Sequence, residues 1–107
     1  MKFLFNYQGK HIANFVNGQL HAPNGRNIGH FLMKEGIFID MHGQYLGEIV
    51  RKDRLLSRSA SSYKVVNLGI YGDYGNVGNY GNPGNYGKIS LIDGFDDIDE
   101  KRLRGDL

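Results

Sequence analysis

The side chains best suited to proton transfer or metal ligation near neutral pH are four histidines, His11, His21, His30 and His42. They stand at different offsets from the glycines at 9, 25 and 43, so a symmetric metal site built on those glycines would lack equivalent ligands. The sequence has no Cys, which removes thiolate nucleophiles, thiolate metal ligands and disulfides. Ser57, Ser59, Ser61 and Ser62 lie close together but without the Gly-x-Ser-x-Gly pattern of a nucleophile turn. The glycine-rich stretch lacks the Lys-Ser/Thr end of a phosphate loop. The acidic run from Asp93 to Glu100 offers clustered oxygens, but its spacing is unlike a calcium loop. Solvated charge, or docking on the basic half, suits it better. Arg104-Gly105-Asp106 spells an adhesion tripeptide by chance. The expectation is a protein that is not an enzyme, with no catalytic residues, no cofactor and no metal.

Residues suited to binding are concentrated in the last third. Gly falls at 69, 72, 75, 78, 81, 84 and 87, and Asn fills another phase at 76, 79, 82 and 85. A large apolar or ring-bearing residue fills the remaining phase: Leu68, Tyr71, Tyr74, Val77, Tyr80, Pro83, Tyr86 and Ile89. A period of three fits neither an α-helix nor a strand and matches polyproline II. A collagen-like assembly and low-complexity disorder are competing readings. The unbroken apolar phase favours an ordered, extended, polyproline II-like segment over 68–89. In that reading Tyr71, Tyr74, Tyr80 and Tyr86 share one packed face, and Asn76, Asn79, Asn82 and Asn85 lie on another. These eight are the candidate interaction residues. As polyproline II, residues 65–98 would span roughly 105 Å, at about 3.1 Å per residue. The segment must therefore fold back, wrap round the rest of the chain, or pack against other copies.

The elements that would position it lie upstream. Leu4–Val16, Leu20–Leu32 and Phe38–Val50 align on Gly9, Gly25 and Gly43. Each unit has a leading apolar residue, a turn glycine, a branched apolar residue (Ile12, Ile28, Leu46) and a small residue (Ala13, Gly29, Gly47). Each then ends on two apolar residues (Phe15-Val16, Phe31-Leu32, Ile49-Val50). Gln8-Gly9, Asn24-Gly25 and His42-Gly43 place glycine where a tight hairpin turn needs positive φ. Asn17-Gly18 and Glu35-Gly36 turn the chain into the next unit. The recurring small residue marks a bulge or a close backbone approach. It suggests hairpins converging on a shared centre, with a single broad sheet as the plainer alternative. Arg54-Leu55-Leu56, a turn over 57–62 and Tyr63-Lys64-Val65-Val66 make a degenerate fourth unit. The fold class is all-β: an antiparallel meander of about four hairpin repeats followed by the period-three segment.

These units resemble the bacterial 4-fold beta flower proteins, in which four such units surround a pseudo-fourfold axis. YD-type and WG-type β-repeats share part of this look. The resemblance covers residues 3–66 and implies an architecture without an activity, a cofactor or site residues.

The expected organisation is a hairpin-repeat domain over 1–66, a Gly/Tyr/Asn-rich segment with an acidic end over 67–100, and a terminal tail over 101–107. Residues 1–66 carry nine Lys or Arg against four acids, and residues 67–107 carry four against seven. That asymmetry suits a tail docked on its own basic domain or on a neighbour's. Arg51, Lys52, Arg54 and Arg58 cluster without a nucleic-acid recognition module, so a nucleic-acid partner is not expected. The apolar start stops at Asn6, short of a signal-peptide core, and no stretch has the length of a membrane span. A cytoplasmic structural or protein-interaction module is expected, assembling with itself or with another protein through the period-three segment. A domain binding carbohydrate, peptide or nucleic acid through Tyr and Asn is the alternative.

Overall fold

Runs of β-branched and aromatic residues broken by glycine turns favour short strands over helices. The computed structural model, which describes residues 1–104, has eight of them. They are β1 (Lys2–Phe5), β2 (His11–Val16), β3 (Gln19–His21), β4 (Asn27–Leu32), β5 (Ile37–Asp40), β6 (Tyr45–Val50), β7 (Arg54–Arg58) and β8 (Phe95–Asp97). From β1 to β7 each strand pairs antiparallel with the next. Phe5 of β1 then lies parallel to Arg54 of β7, and its N–H donates to the Asp53 carbonyl at 2.8 Å. This contact closes seven strands into a mixed barrel and removes the open edges that a flat sheet would present. β8 pairs antiparallel with Leu56–Arg58 of β7.

The interior depends on pairing large with small. Leu4 faces Ala13, Leu20 faces Gly29 and Phe38 faces Gly47 across adjacent strands. All three large residues and Ala13 are fully buried. A Cβ added at Gly47 would come within 2.5 Å of the Leu56 carbonyl oxygen, and one at Gly29 would collide with the carbonyl of Ile39. The register shifts at Leu4/Phe5, Leu20/His21 and Phe38/Ile39, directly beside these pairs. Such bulges bend a strand and increase its twist, as closing a small barrel requires.

The two ends of the barrel are filled differently. Towards the Asn17-Gly18 and Glu35-Gly36 turns, Phe15, Phe31 and Phe38 meet edge-on or tilted, with ring centroids 5.1–5.3 Å apart. At the other end Ile98 and Leu103 join the core. Leu103 belongs to a short 3-10 turn, Glu100–Leu103, which the Asp99 side chain caps. Residues 101–104 are thus not all loose tail: Leu103 is buried, and Arg102 donates to Asp40 at 2.9 Å and to the Tyr45 carbonyl at 3.1 Å.

Two expectations need correction. Tyr63–Val66 is not the returning strand of a fourth hairpin, because Ser62–Val65 forms a 3-10 turn and the strand that pairs with β7 is β8. Nor is the glycine-rich segment polyproline II. That conformation needs φ near −75° throughout, whereas Gly69, Gly72, Gly75, Gly81 and Gly84 have φ between 79° and 98°.

Candidate interaction surface

Gly9, Gly25 and Gly43 end the tight connections β1–β2, β3–β4 and β5–β6, and all three have φ of 85–94°. The three turns share a bonding pattern. The N–H of Asn6, Ala22 and Asp40 donates to the carbonyl of Lys10, Arg26 and Gln44, at 2.8–3.0 Å. The carbonyls of Asn6, Ala22 and Asp40 accept from the N–H of Gly9, Gly25 and Gly43 at 2.8–3.1 Å. The glycine carbonyls are left pointing away from the ladder, and each takes a donor from the C-terminal third of the chain. Leu68 donates to Gly43 at 2.8 Å, Val77 to Gly25 at 2.8 Å and Tyr86 to Gly9 at 2.9 Å.

These donors stand nine residues apart, three triplets to a turn, and meet the turns in reverse chain order. Nine residues further on, Phe95 pairs with Arg58, the last residue of β7. The segment between Arg58 and Phe95 therefore leaves β7, passes the three turns in succession and returns to the strand it left. It forms a belt round one end of the barrel. Residues 67–92 of the belt belong to no helix or strand.

Two features hold the belt's backbone. The turn glycines lie beneath it: a Cβ at Gly9 or Gly25 would collide with the carbonyl of Tyr86 or Val77. Within the belt, side-chain oxygens of Asn67, Asp73, Asn79 and Asn82 accept the N–H two residues on, at 2.7–2.8 Å, from Gly69, Gly75, Gly81 and Gly84. In each of these four Asx turns the Asx accepts the bond and the glycine takes positive φ. Gly78 and Gly87 do not have positive φ, and they follow Val77 and Tyr86, the residues bonded to the barrel.

Side chains add local contacts. Tyr86 stacks on Phe5 with centroids 4.0 Å apart. Tyr71 and Tyr74 lie 5.7 and 5.3 Å from the ring of His30, and the Tyr74 N–H donates to Asn27 Oδ1 at 3.0 Å. His30 is buried beside Gln19, and burial holds its pKa below the ordinary value while the Asp73 carboxylate opposes the shift. At the barrel seam the buried Arg54 guanidinium donates to Asn6 O at 3.0 Å, to Gly87 O at 2.7 Å and to Asp53 at 3.2 Å. One cation thus joins β1, β7 and the belt. Tyr7 Oη donates towards the carbonyls of Phe95 (2.9 Å) and Ile92 (3.1 Å) and accepts from the N–H of Ile92 at 2.9 Å, fixing the belt's return. Where the belt begins, Tyr45 Oη donates to Glu48 at 2.7 Å and accepts from the Arg58 N–H. Burial, more than any other effect, pushes its pKa up to about 12.

The tyrosines do not share one buried face. Tyr71, Tyr74, Tyr80 and Tyr86 are 44–63% exposed, and only three of them meet an aromatic ring of the barrel. Asn79, Asn82 and Asn85 line a groove of about 450 Å³ between the belt and the first two turns. Asn76 lines a separate cleft of about 590 Å³ bordered by Arg26, Asp40, Asp73 and Arg102. The four histidines do not converge: His11 meets Asn14, His21 meets the Gly25 carbonyl, His30 meets Gln19, and His42 is exposed. The acidic run is used piecemeal, with Asp97 accepting the Tyr7 N–H and Glu100 pairing with Lys10 at 2.7 Å.

Sequence reasoning missed Arg54, which looked like one more residue of a basic cluster. It also missed the second role of the turn glycines. The sequence carries no signal for that role, because the four triplets from Asn76 to Gly87 share one Asn-x-Gly form and nothing in them sets Val77 and Tyr86 apart. No family model, curated protein or solved structure matches the chain.

Proposed function

We propose that this protein is a non-enzymatic interaction module whose binding surface is the outer face of the belt. The observation that carries this reading is where its exposed apolar groups lie. Eight of the ten large apolar or aromatic side chains that stand exposed fall between Val65 and Leu91, with Ile70 at 72% and Leu91 at 83%. A chain that buried its belt only to protect its own core would turn such groups inward. Exposed apolar groups concentrated in one segment of a small domain are what a contact site presents. Tyrosine suits such a surface because it adds area at little cost in conformational entropy. The partner is a second copy or another protein, held through Ile70, Tyr71, Tyr74, Tyr80 and Leu91.

The matching turns and bulges support a flower-like reading in which β1–β2, β3–β4 and β5–β6 are copies of one unit. β7–β8 would be the fourth, its turn expanded into the belt. The test is sedimentation of the wild-type chain over a wide concentration range beside an I70S/Y74S/L91S variant. Concentration-dependent association that the variant loses, with its circular dichroism unchanged, is the expected result. A strictly monomeric wild type would remove self-association, and an unchanged variant would remove this face as its site.

A further inference from the structure

The groove beneath the belt has a chemistry that the outer face lacks. It is an open groove of about 450 Å³ between the first two turns and the belt, and Lys10, His11, Asn24, Asn79, Asn82 and Asn85 are among the residues that line it. Three of its amides have a fixed orientation. The side-chain oxygen of Asn24 accepts the N–H of Arg26 at 3.0 Å, that of Asn79 accepts the N–H of Gly81 at 2.7 Å, and that of Asn82 accepts the N–H of Gly84 at 2.8 Å. With each oxygen turned to a backbone N–H, the Nδ2 end of each amide lies away from that bond, and it can only donate. The turns do not require asparagine for this. Asp73 makes the same bond to Gly75 at 2.7 Å in the same segment. Asn at 79 and 82 therefore satisfies the belt as Asp would, and adds N–H donors where Asp would add negative charge. Lys10 contributes a cation at the groove's edge. Its ion pair with Glu100 has both side chains about half exposed, a pairing of little strength.

We propose that this groove binds a tetrahedral oxyanion carried on a small polar molecule, a phosphate or sulfate monoester of sugar size. Such a group presents several acceptor oxygens and no obligatory donor, which complements a rim of amide N–H groups and one ammonium. A groove of this volume is of the size that holds small ligands. A neutral sugar, whose hydroxyls also need acceptors, is matched less well. The proposal does not depend on the outer face of the belt being an interface.

The test is titration of the full chain with glucose 6-phosphate, glucose 6-sulfate, glucose and inorganic phosphate, followed by calorimetry and by NMR of the asparagine side-chain amides. Saturable binding of one or both esters, with shifts at the Asn24, Asn79 and Asn82 amides and little response to glucose, is expected. The two ester arms decide between phosphate and sulfate, and binding of inorganic phosphate as tight as that of the esters would discard the sugar-sized carrier. The matched variant is N79D/N82D, which keeps both Asx turns. It should melt close to the wild type and lose affinity by about tenfold or more, since hydrogen bonds to charged groups are among the stronger ones. The proposal is overturned if neither ester binds, or if N79D/N82D folds and binds them as well as the wild type.

Discussion

The barrel and the belt are both glycine-marked, yet they are held by different physics. The barrel keeps its shape by burying side chains in facing pairs, large against small, with its backbone bonds satisfied by neighbouring strands. The belt leaves about half of its tyrosine surface exposed. It is placed by single backbone bonds to the turn glycines, by Asx turns within itself and by one buried arginine. A segment without a core of its own can be ordered when another element offers its backbone carbonyls at a matching spacing. That manner of attachment leaves its side chains free for other contacts.

The largest effect should come from the residue that belongs to both regions. Arg54→Met removes the cation and its hydrogen bonds to the carbonyls of Asn6 and Gly87. It should cost about 1.5–3 kcal/mol, because hydrogen bonds made by a charged group are among the stronger ones. Chemical denaturation measures this, and a change below about 1 kcal/mol would mean that the seam closes without the guanidinium. Next come the barrel glycines. Gly47→Val sets a side chain against the Leu56 carbonyl and Ile98, and overpacking of this kind costs roughly 1–3 kcal/mol. An unchanged melting temperature would contradict the paired large-and-small interior.

A sharper contrast sets Gly25→Ala beside Gly18→Ala. Both glycines have positive φ, but only Gly25 lies under the belt, whereas nothing lies near a Cβ at Gly18. Each substitution carries a backbone cost of about 1 kcal/mol. Gly25→Ala should in addition detach Val77, seen as faster exchange of that amide, while Gly18→Ala leaves it protected. Acid should act mainly on the belt. Because the folded pKa of His30 lies below the ordinary 6.5, the unfolded chain takes up that proton first, so stability falls as pH drops from 6.5 towards the folded value. His30→Phe should flatten that part of the pH profile. Tyr45 works in the opposite direction: with a folded pKa of about 12, stability is retained up to pH 10 and lost between 10 and 12. The smallest effect concerns the β6–β7 turn, where Arg51 and Lys52 hold φ of 54° and 76° without glycine. Lys52→Gly relieves that strain and should stabilise by about 0.5–1 kcal/mol.

The all-β class was legible because turn glycines and branched apolar runs act locally. Strands fell near Gly9, Gly25 and Gly43 for the reason that made those residues conspicuous. Closure was not legible, since one parallel contact between Phe5 and Arg54 joins residues far apart in sequence and leaves no periodic trace. The period of three was visible in the belt, but its cause was misread. A run of bends with glycine at every third place and polyproline II carry the same sequence period, and the φ of the glycines separates them. β8 was hidden in an acidic stretch because its pairing with β7 asks little of its side chains. The Tyr and Asn phases were legible as candidates for interaction, but their arrangement was not: Asn76 lines a different cleft from Asn79, Asn82 and Asn85, and the tyrosines stand half exposed.

The central claim is that the belt is ordered by backbone bonds to the turn glycines at nine-residue intervals. Residue-resolved amide hydrogen exchange on the intact chain tests it most directly. The amides of Leu68, Val77 and Tyr86 should be protected, while those of Gly78 and Tyr80 between them exchange rapidly. Uniformly rapid exchange from 67 to 92, including those three amides, would contradict it.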